Sequence, residues 1–320
     1  STSDLHTLTF HLTCSEENDT VYVALTPPYT YTQLQNVIHH LQSTHSQCLS
    51  VRTLCHSLAG NRCDLLVITD PAEEVEKKDK EGEVKGEHVK EEVQEVKEPT
   101  GYLQKLAQRF EQDMAYMKSK RAVVVLARQE GSDTASSQMC EGLVRFLLGP
   151  STSASTLRRQ CVFYVLPMLN PDGVVNGTSR GDLVGHRLGT GPVSGQRLQQ
   201  PVVHHFRRLL QSLQRDRTQR LTAVIELQGR TDTDGLYFCG MLPSPNLTIA
   251  TTPSKKETTV VDPRLLFFAA ASRNSSVALK QCQLLPPDDS YQLLEISRQL
   301  DLPLSIAAVG SLFCGPSNPR

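Results

Sequence analysis

The chain lacks the features that would assign it to several large classes of protein. Its formal net charge is −1 over 320 residues, so no global basic field argues for binding to nucleic acid or to a membrane surface. No apolar run approaches the ~18 residues that a membrane-spanning helix requires. The opening residues, STSDLHTLTFHLTCS, contain neither a basic lead nor an apolar core. We therefore expect a cytoplasmic protein that contacts neither nucleic acid nor membrane.

Several enzyme motifs are also missing. The sequence contains no GxSxG nucleophile motif and no phosphate-binding P-loop. Its nine cysteines are scattered without a CxxC pair, which favours free thiols in a reducing compartment over a disulfide framework. His88 and Glu91 form an HxxE within a charged stretch, and we attribute it to composition, because a zinc ligand pair requires a buried, preorganised loop.

Apolar, strand-like runs alternate with helical stretches along most of the chain. We predict strands at Cys63–Thr69, Ala122–Ala127, Val162–Leu166, Leu221–Leu227 and Leu304–Val309. We predict helices at Thr30–Leu41, Leu103–Met117, Ser136–Leu148, Val203–Leu213 and Arg264–Ser272. This alternation predicts an α/β fold, with a mixed, mainly parallel sheet flanked by helices on both faces.

A charged segment interrupts this pattern between Pro71 and Pro99. It contains six lysines against eleven acidic residues, a formal sum of −5, and almost no large apolar side chain. Such a segment cannot bury enough apolar surface to order itself. We predict that residues 71–100 form a disordered, solvated insertion between two core strands.

The most informative segment is Cys161–Arg180, CVFYVLPMLNPDGVVNGTSR. Its apolar strand is ended by Pro, Asn, Asp and Gly, and loops at the carboxyl ends of strands are where open α/β sheets bind ligands. Asn176 and Arg180 lie four residues apart, so this arginine is placed to bind a carboxylate or polarise a carbonyl in that crevice. Spacing alone leaves an equal alternative, a surface turn with a solvated arginine.

The motif PMLNPDGVxxGxxR resembles the signature of the cytosolic carboxypeptidases, zinc peptidases that remove glutamate from tubulin tails and other protein C-termini. Further segments resemble the family in the expected order: Asp19–Gln35, Val51–Asp70, Arg121–Arg128, Glu141–Gly149, Gln200–His205, Leu236–Gly240 and Phe313–Gly315. The resemblance implies a carboxypeptidase-like domain over residues 27–320, with the Val51–Asp70 segment as its first hairpin. It also implies that residues 1–26 are the remnant of an accessory β-domain, with strands at Leu8–Leu12 and Val21–Leu25.

The resemblance implies a catalytic zinc held by His, Glu and a second His, and alignment places Glu130, Asp133 and Gln228 at those positions. Three oxygen donors suit calcium, magnesium or manganese better than zinc, so we expect no zinc and no other cofactor. The carboxylates of Glu130 and Asp133 have an alternative role. They can share a proton, or pair with Arg128 or Arg230 in a cleft that has lost its metal.

Two further functional positions of the family align with residues that cannot perform the same role. The general-base glutamate aligns with Gly310, which cannot accept the proton of an attacking water. The Asn and Arg that clamp the terminal carboxylate of the substrate align with Gly189 and Thr190. Arg180 then remains as the substrate-binding candidate, together with Asn176, and Arg187 can substitute only if its loop is rebuilt.

These substitutions favour a carboxypeptidase-like protein without peptidase activity that binds glutamate-rich C-terminal tails, such as those of tubulin. Two alternatives stay open: an active zinc metallocarboxypeptidase with unusual ligands, and a degraded or truncated paralogue with no stable role. The basic stretch Arg207–Arg220 is interpreted mainly as a solvated helix end, and as a landing site for acidic tails only in a lesser hypothesis.

Overall fold

The structure is a computed structural model, and it describes most of the central sheet and its helices. The described residues are 9–24 in part, 26–71, 120–189, 196–216, 220–230, 236–241 and a discontinuous part of 267–311. The predicted helix Leu103–Met117, and the predicted insertion apart from Pro71, lie outside these ranges. Within Arg264–Ser272, the described residues 267, 270 and 271 are helical, as predicted.

The core of the described molecule is an eight-stranded sheet. Its strands are β1 Leu49–His56, β2 Arg62–Ile68, β3 Arg121–Leu126, β4 Cys161–Leu166, β5 Leu221–Arg230, β6 Leu236–Met241, β7 Gln283–Leu285 and β8 Ser305–Ser311. Their order across the sheet is β1-β2-β4-β3-β5-β8-β6-β7.

Parallel pairing dominates the centre of the sheet. Strands β4, β3, β5 and β8 pair in parallel, as do β6 and β7, whereas β1 with β2, β2 with β4, and β6 with β8 are antiparallel. The predicted mixed, mainly parallel sheet and its first hairpin are therefore confirmed. The largest difference in a strand boundary is at β5, which runs to Arg230, three residues beyond the predicted end, whereas the other predicted strands differ by one or two residues.

Helices cover both faces of the sheet, as the sequence predicts. They are α1 Tyr31–Thr44, α2 Thr134–Leu148, α3 Thr152–Gln160, α4 Pro171–Asn176, α5 Gln196–Gln199 and α6 Pro201–Arg215. On one face, Val203 and Phe206 of α6 enter a core cluster with side chains of β3 and β5. On the other face, Ile38 of α1 and Leu147 of α2 enter a second cluster. Residues spaced three or four apart on each helix therefore face the sheet.

Capping residues explain two helices that hydrophobic periodicity does not predict. Ser151 begins α3 by accepting a hydrogen bond from Ala154 N at 3.2 Å. Asn170 begins α4 by accepting one from Gly173 N at 2.8 Å, with Pro171 in the first turn. Helix α4 ends at Gly177, whose φ of 71° suits glycine. The PDG sequence that predicted only a turn is therefore a short helix.

The N-terminal segment departs from the prediction. Strands were expected at Leu8–Leu12 and Val21–Leu25, but the described residues in both stretches form no strand. Val21 is 44% and Val23 is 67% exposed. An apolar stretch forms a strand only where its backbone groups find a partner strand. The assignment of residues 1–26 to a β-domain remnant stays a prediction.

None of the helices that the structure describes is both long enough and apolar enough to cross a membrane.

Candidate functional site

A cleft of about 660 Å³ opens at the carboxyl ends of β3 and β5, where α/β sheets commonly bind ligands. The structure brings four of the predicted site residues into its lining: Glu130, Asp133, Arg180 and Gln228. Arg128, Arg187 and Arg230 line it as well. One wall is formed by residues from the segment before α1: Ala24, Thr26, Pro28, Tyr29 and Thr30.

The loop after β3 has a constrained backbone. Arg128 adopts a left-handed conformation with φ of 54°, which is unfavourable for a residue with a side chain. Its N–H donates to Ser136 Oγ at 3.0 Å, and its carbonyl accepts from Asn170 N at 3.0 Å. These two hydrogen bonds hold the loop between helix α2 and the loop that follows β4.

A close backbone approach then fixes the next turn of this loop. A Cβ atom at Gly131 would lie 2.1 Å from the Thr178 carbonyl oxygen and 2.8 Å from that of Gly173, so only glycine fits. Ser132 N also donates to Ser179 O at 3.0 Å. The loop after β3 is thereby packed against the segment after α4, which brings Glu130 beside Arg180.

Glu130 lies between two arginines. Its Oε2 is 3.7 Å from Arg180 Nε, and its Oε1 is 3.6 Å from Arg187 Nη2. These separations make ion pairs that are looser than direct hydrogen bonds. The sequence predicted pairing with Arg128 or Arg230, so these two partners of Glu130 were missed. Arg187 reaches the cleft, as its proposed substitution for a lost clamp residue requires.

Asp133 is a buried structural carboxylate. Its Oδ1 accepts from Ser136 N at 3.0 Å, which caps helix α2, and its Oδ2 accepts from Gly229 N at 2.9 Å. Burial raises its pKa to about 6, against the opposing effects of these backbone donors and of nearby Arg128. Both carboxylate oxygens therefore already accept hydrogen bonds from the backbone.

Arg128 balances this buried charge. Its guanidinium donates to Gly131 O, at 2.9 Å from Nη2 and 3.2 Å from Nε, and Nη1 donates to Ser137 Oγ at 3.2 Å. Burial lowers its pKa to about 10, and attraction to Asp133 opposes that shift. The charged lining of the cleft is therefore four arginines against the two carboxylates of Glu130 and Asp133.

The position aligned with the second zinc histidine lies inside a strand. Gln228 belongs to β5, and its Nε2 donates to Oε1 of Glu226 at 2.6 Å. Glu226 is fully buried. The side-chain amide of Gln228 is thus held by a carboxylate on its own strand.

The position aligned with the general base lies on the neighbouring strand. Gly310 of β8 is in register with Gly229 of β5. A Cβ atom built on Gly310 would lie 3.0 Å from Met139 Sδ of helix α2. The first atom of any side chain at position 310 would therefore lie against Met139.

Asn176 was predicted to face the crevice with Arg180, and the structure does not bring it there. It is exposed at the end of α4, and its Nδ2 donates to the Asp172 carbonyl at 2.8 Å. The four-residue spacing is interrupted because α4 ends at Gly177 before the chain reaches Arg180. Gly189 and Thr190 align with the Asn and Arg that clamp the substrate's terminal carboxylate in the family. Gly189 donates its N–H to Gln200 Oε1 at 3.0 Å, and Thr190 lies outside the described residues.

Asp172 has a role that the sequence did not reveal. It is 4% exposed, and its carboxylate accepts hydrogen bonds from Ser57 Oγ at 2.5 Å, Asn61 Nδ2 at 2.8 Å and Ala59 N at 3.1 Å. These donors form the turn between β1 and β2. Asp172 therefore fastens the hairpin to helix α4. Its position in the PDG motif was the one feature of the sequence that could have indicated this role.

Solved structures with the same fold are metallocarboxypeptidases. A putative carboxypeptidase from Burkholderia mallei aligns with a TM-score of 0.59 at 18% identity, over 92% of this chain and 62% of that one. A metallo-carboxypeptidase from Pseudomonas aeruginosa, solved with (2-guanidinoethylmercapto)succinic acid, aligns with a TM-score of 0.59 at 15% identity, over 92% and 63%. At these identities, the alignments define the class of fold alone.

Sequence comparison gives the family. The zinc carboxypeptidase family model matches residues 34–192. Danio rerio cytosolic carboxypeptidase 2 is 31% identical over 238 residues, which is 74% of this chain and 27% of that protein. Homo sapiens cytosolic carboxypeptidase 1 is 28% identical over 211 residues, 65% of this chain and 14% of that protein. The chain belongs to the cytosolic carboxypeptidase family, and it spans about a quarter or less of the length of these relatives.

Proposed function

We propose that this protein is a cytoplasmic, carboxypeptidase-like binder of acidic C-terminal tails, such as the glutamate-rich tails of tubulin, and that it does not hydrolyse them. The observation that carries the proposal is the chemistry of the cleft. Four arginines line it, while the residues aligned with the zinc ligands are engaged in other contacts.

The residues present do not fit a catalytic zinc ion. Glu130 forms loose ion pairs with two guanidinium groups, both oxygens of Asp133 accept backbone N–H bonds, and the amide of Gln228 donates to Glu226. Zinc in enzymes prefers imidazole or thiolate donors, and breaking the Asp133 bonds would uncap α2. We therefore assign no hydrolytic step that passes through a metal.

General-base catalysis is also unsupported at the aligned position. A positioned base contributes roughly 10²–10⁴-fold to a hydrolytic rate, and Gly310 has no side chain to supply it. Introducing one there meets Met139 at once. Neither the aligned metal positions nor the aligned base position, all of which lie in the described part of the chain, offers a group suited to activating water.

The same cleft retains groups suited to binding a carboxylate. The Arg180 side chain is 67% exposed, so its guanidinium is accessible to a ligand, and arginine binds carboxylates in a two-pronged geometry. Because Arg180 pairs only loosely with Glu130, its guanidinium N–H groups can donate hydrogen bonds to a ligand. An acidic tail would compete with Glu130 for Arg180 and Arg187, so Glu130 acts as an internal counter-ion that the ligand displaces.

Binding of a peptide that ends in several glutamates, measured by calorimetry at low salt, tests this proposal. Arg180→Ala is expected to weaken binding about 10- to 100-fold, the value of one charge-assisted hydrogen bond, whereas Glu130→Gln is expected to tighten it. The control is Arg159→Ala, which removes an exposed arginine of α3 that does not line the cleft. No binding at low salt, or equal losses in both arginine variants, would refute tail binding.

The lack of activity is tested separately, by zinc content and by release of glutamate from the same peptide. We expect far less than one zinc per chain and no release. Stoichiometric zinc with turnover would overturn this part of the proposal, and would establish the alternative of an active metallocarboxypeptidase with unusual ligands. A chain that melts without cooperativity would instead support the degraded paralogue.

A further inference from the structure

Two cysteines face each other across the β1–β2 hairpin, at the β1 edge of the sheet. Cys55 of β1 and Cys63 of β2 are register partners in this antiparallel pair. Directly opposed residues of antiparallel strands have Cβ atoms about 4.5–5.5 Å apart. This is close to the ~3.5–4.5 Å that a disulfide requires, so a small movement joins them. The register shifts between Thr53 and Cys55, and an irregularity of this kind bends the strand and increases its local twist.

The two thiols differ in accessibility and in acidity. Cys55 is half-buried, whereas Cys63 is 2% exposed. The side-chain interaction with Cys63 lowers the pKa of Cys55 against the effect of burial. The same interaction, together with burial and the charges of Asp172 and Asp64, raises the pKa of Cys63. Cys55 is therefore the reachable nucleophile, and Cys63 is the shielded partner.

We propose that Cys55 and Cys63 form a reversible redox pair, which closes into a cross-strand disulfide by exchange with a low-molecular-weight disulfide such as oxidised glutathione. This site is separate from the arginine-lined cleft, so the proposal does not depend on tail binding.

The exchange balances in two steps. The Cys55 thiolate attacks one sulfur of the small disulfide, forms a mixed disulfide and expels one small thiolate. Cys63 then loses its proton and attacks the Cys55 sulfur, which forms the Cys55–Cys63 bond and expels the second thiolate. The two cysteines lose two electrons and two protons in total, and the small disulfide is reduced to two thiols.

The position of the pair links it to the rest of the fold. The turn between these cysteines contains Ser57, Ala59 and Asn61, which donate to the buried Asp172 carboxylate at the start of α4. The disulfide would therefore close a short loop around the three donors that fasten the hairpin to α4. Oxidation should make this turn more rigid without breaking any of its hydrogen bonds.

The test exposes the full chain to graded ratios of oxidised to reduced glutathione, quenches it with acid, alkylates the free thiols and maps them by mass spectrometry. Wild type is expected to lose two hydrogens in a peptide pair that links Cys55 to Cys63, and a dithiol reductant should reverse the loss. Cys63→Ala is expected to trap Cys55 as a glutathione adduct. In Cys55→Ser, the buried Cys63 should remain reduced.

Cys161→Ser is the matched control, because Cys161 is a half-buried cysteine on another strand. It should leave the Cys55–Cys63 bond unchanged. The proposal is overturned if wild type keeps both thiols free under ratios that modify Cys55 in Cys63→Ala, if Cys55 is never modified, or if the mapped disulfide joins other cysteines. Thermal melts of each reduced variant confirm that it is folded before its thiols are compared.

Discussion

The Asp133 carboxylate is hydrogen-bonded to the backbone N–H of Gly229, with Oδ2 and N separated by 2.9 Å. This contact joins the first turn of α2 to β5 across the floor of the cleft. Asp133 stands where the resemblance to the family places a zinc ligand, yet both of its oxygens bind the protein backbone. A position expected to serve chemistry thus serves the stability of the fold.

The pH dependence of stability should carry the signature of Asp133. Its pKa is raised from 3.8 to about 6 in the folded chain, because burial disfavours the charged form. A raised pKa means that the folded state holds the proton more tightly, so the free energy of unfolding falls as pH rises through this interval. The fall attributable to this one group is about 3 kcal/mol, and it levels off above pH 6.

Asp133→Asn isolates that contribution, because asparagine can still cap α2 but does not titrate. Urea unfolding of both proteins between pH 4 and pH 7 should give a smaller loss of stability with rising pH in the variant. Parallel curves for the two proteins would show that Asp133 does not titrate in this range.

Replacing Asp172 should loosen the β1–β2 turn. Asp172→Ala leaves the donors Ser57, Ala59 and Asn61 without their shared acceptor in a buried setting. We expect the free energy of unfolding to fall by about 2–4 kcal/mol. The control is Asn176→Ala, which removes one exposed hydrogen bond from the same helix and should cost less than about 1 kcal/mol. Similar losses in both variants would contradict a clamping role for Asp172.

Two glycines should respond to alanine in opposite directions. Gly131→Ala places a Cβ against the Thr178 carbonyl, so we expect a loss of several kcal/mol and a displaced loop. Gly142 is exposed within α2 and has no atom within 4 Å of a built Cβ, so Gly142→Ala should stabilise the chain by about 0.5–1 kcal/mol. Thermal melting of the pair checks this prediction. A neutral Gly131→Ala would mean that the loop is not packed as described.

Arg158 should not tolerate replacement by lysine. Its Nε contacts Asp70 Oδ1 at 2.6 Å, and its Nη1 donates to Leu147 O at 2.5 Å and Gly149 O at 3.1 Å. A lysine ammonium cannot reach all three acceptors, so Arg158→Lys should cost about 1.5–3 kcal/mol. Arg159→Lys, on the exposed side of α3, should change stability by less than about 0.5 kcal/mol. Denaturant titration distinguishes the two, and equal effects would refute the prediction.

Hydrophobic periodicity predicted the elements that bury a continuous apolar face. Helix α2 and strands β3 and β4 appear within two residues of their expected bounds. Helix α3 escaped prediction because its sequence, TSASTLRRQ, has almost no apolar stripe and depends on the Ser151 cap. The strands that the family resemblance implied at Leu8–Leu12 and Val21–Leu25 are not formed by the described residues of those stretches, because similarity of sequence does not supply a partner strand.

The site was predicted in its location but not in its contacts. Linear alignment placed Glu130, Asp133 and Gln228 together, and the structure puts all three in one cleft with Arg180. The alignment could not reveal that Asp133 also accepts a hydrogen bond from Gly229, because that contact depends on where β5 passes α2 in space. It could not pair Glu130 with Arg187 either, because the two meet only through the packing of separate loops. Their functional roles remain predictions.

The wall of the cleft contributed by Ala24, Thr26, Pro28, Tyr29 and Thr30 lies entirely before residue 34, where the match to the zinc carboxypeptidase family model begins. Thr26 is fastened to α2 by a hydrogen bond from Thr134, and Tyr29 by one to Glu141. Two side-chain hydrogen bonds to α2 therefore set where this wall lies, so the border of the cleft can shift while the core strands keep their positions.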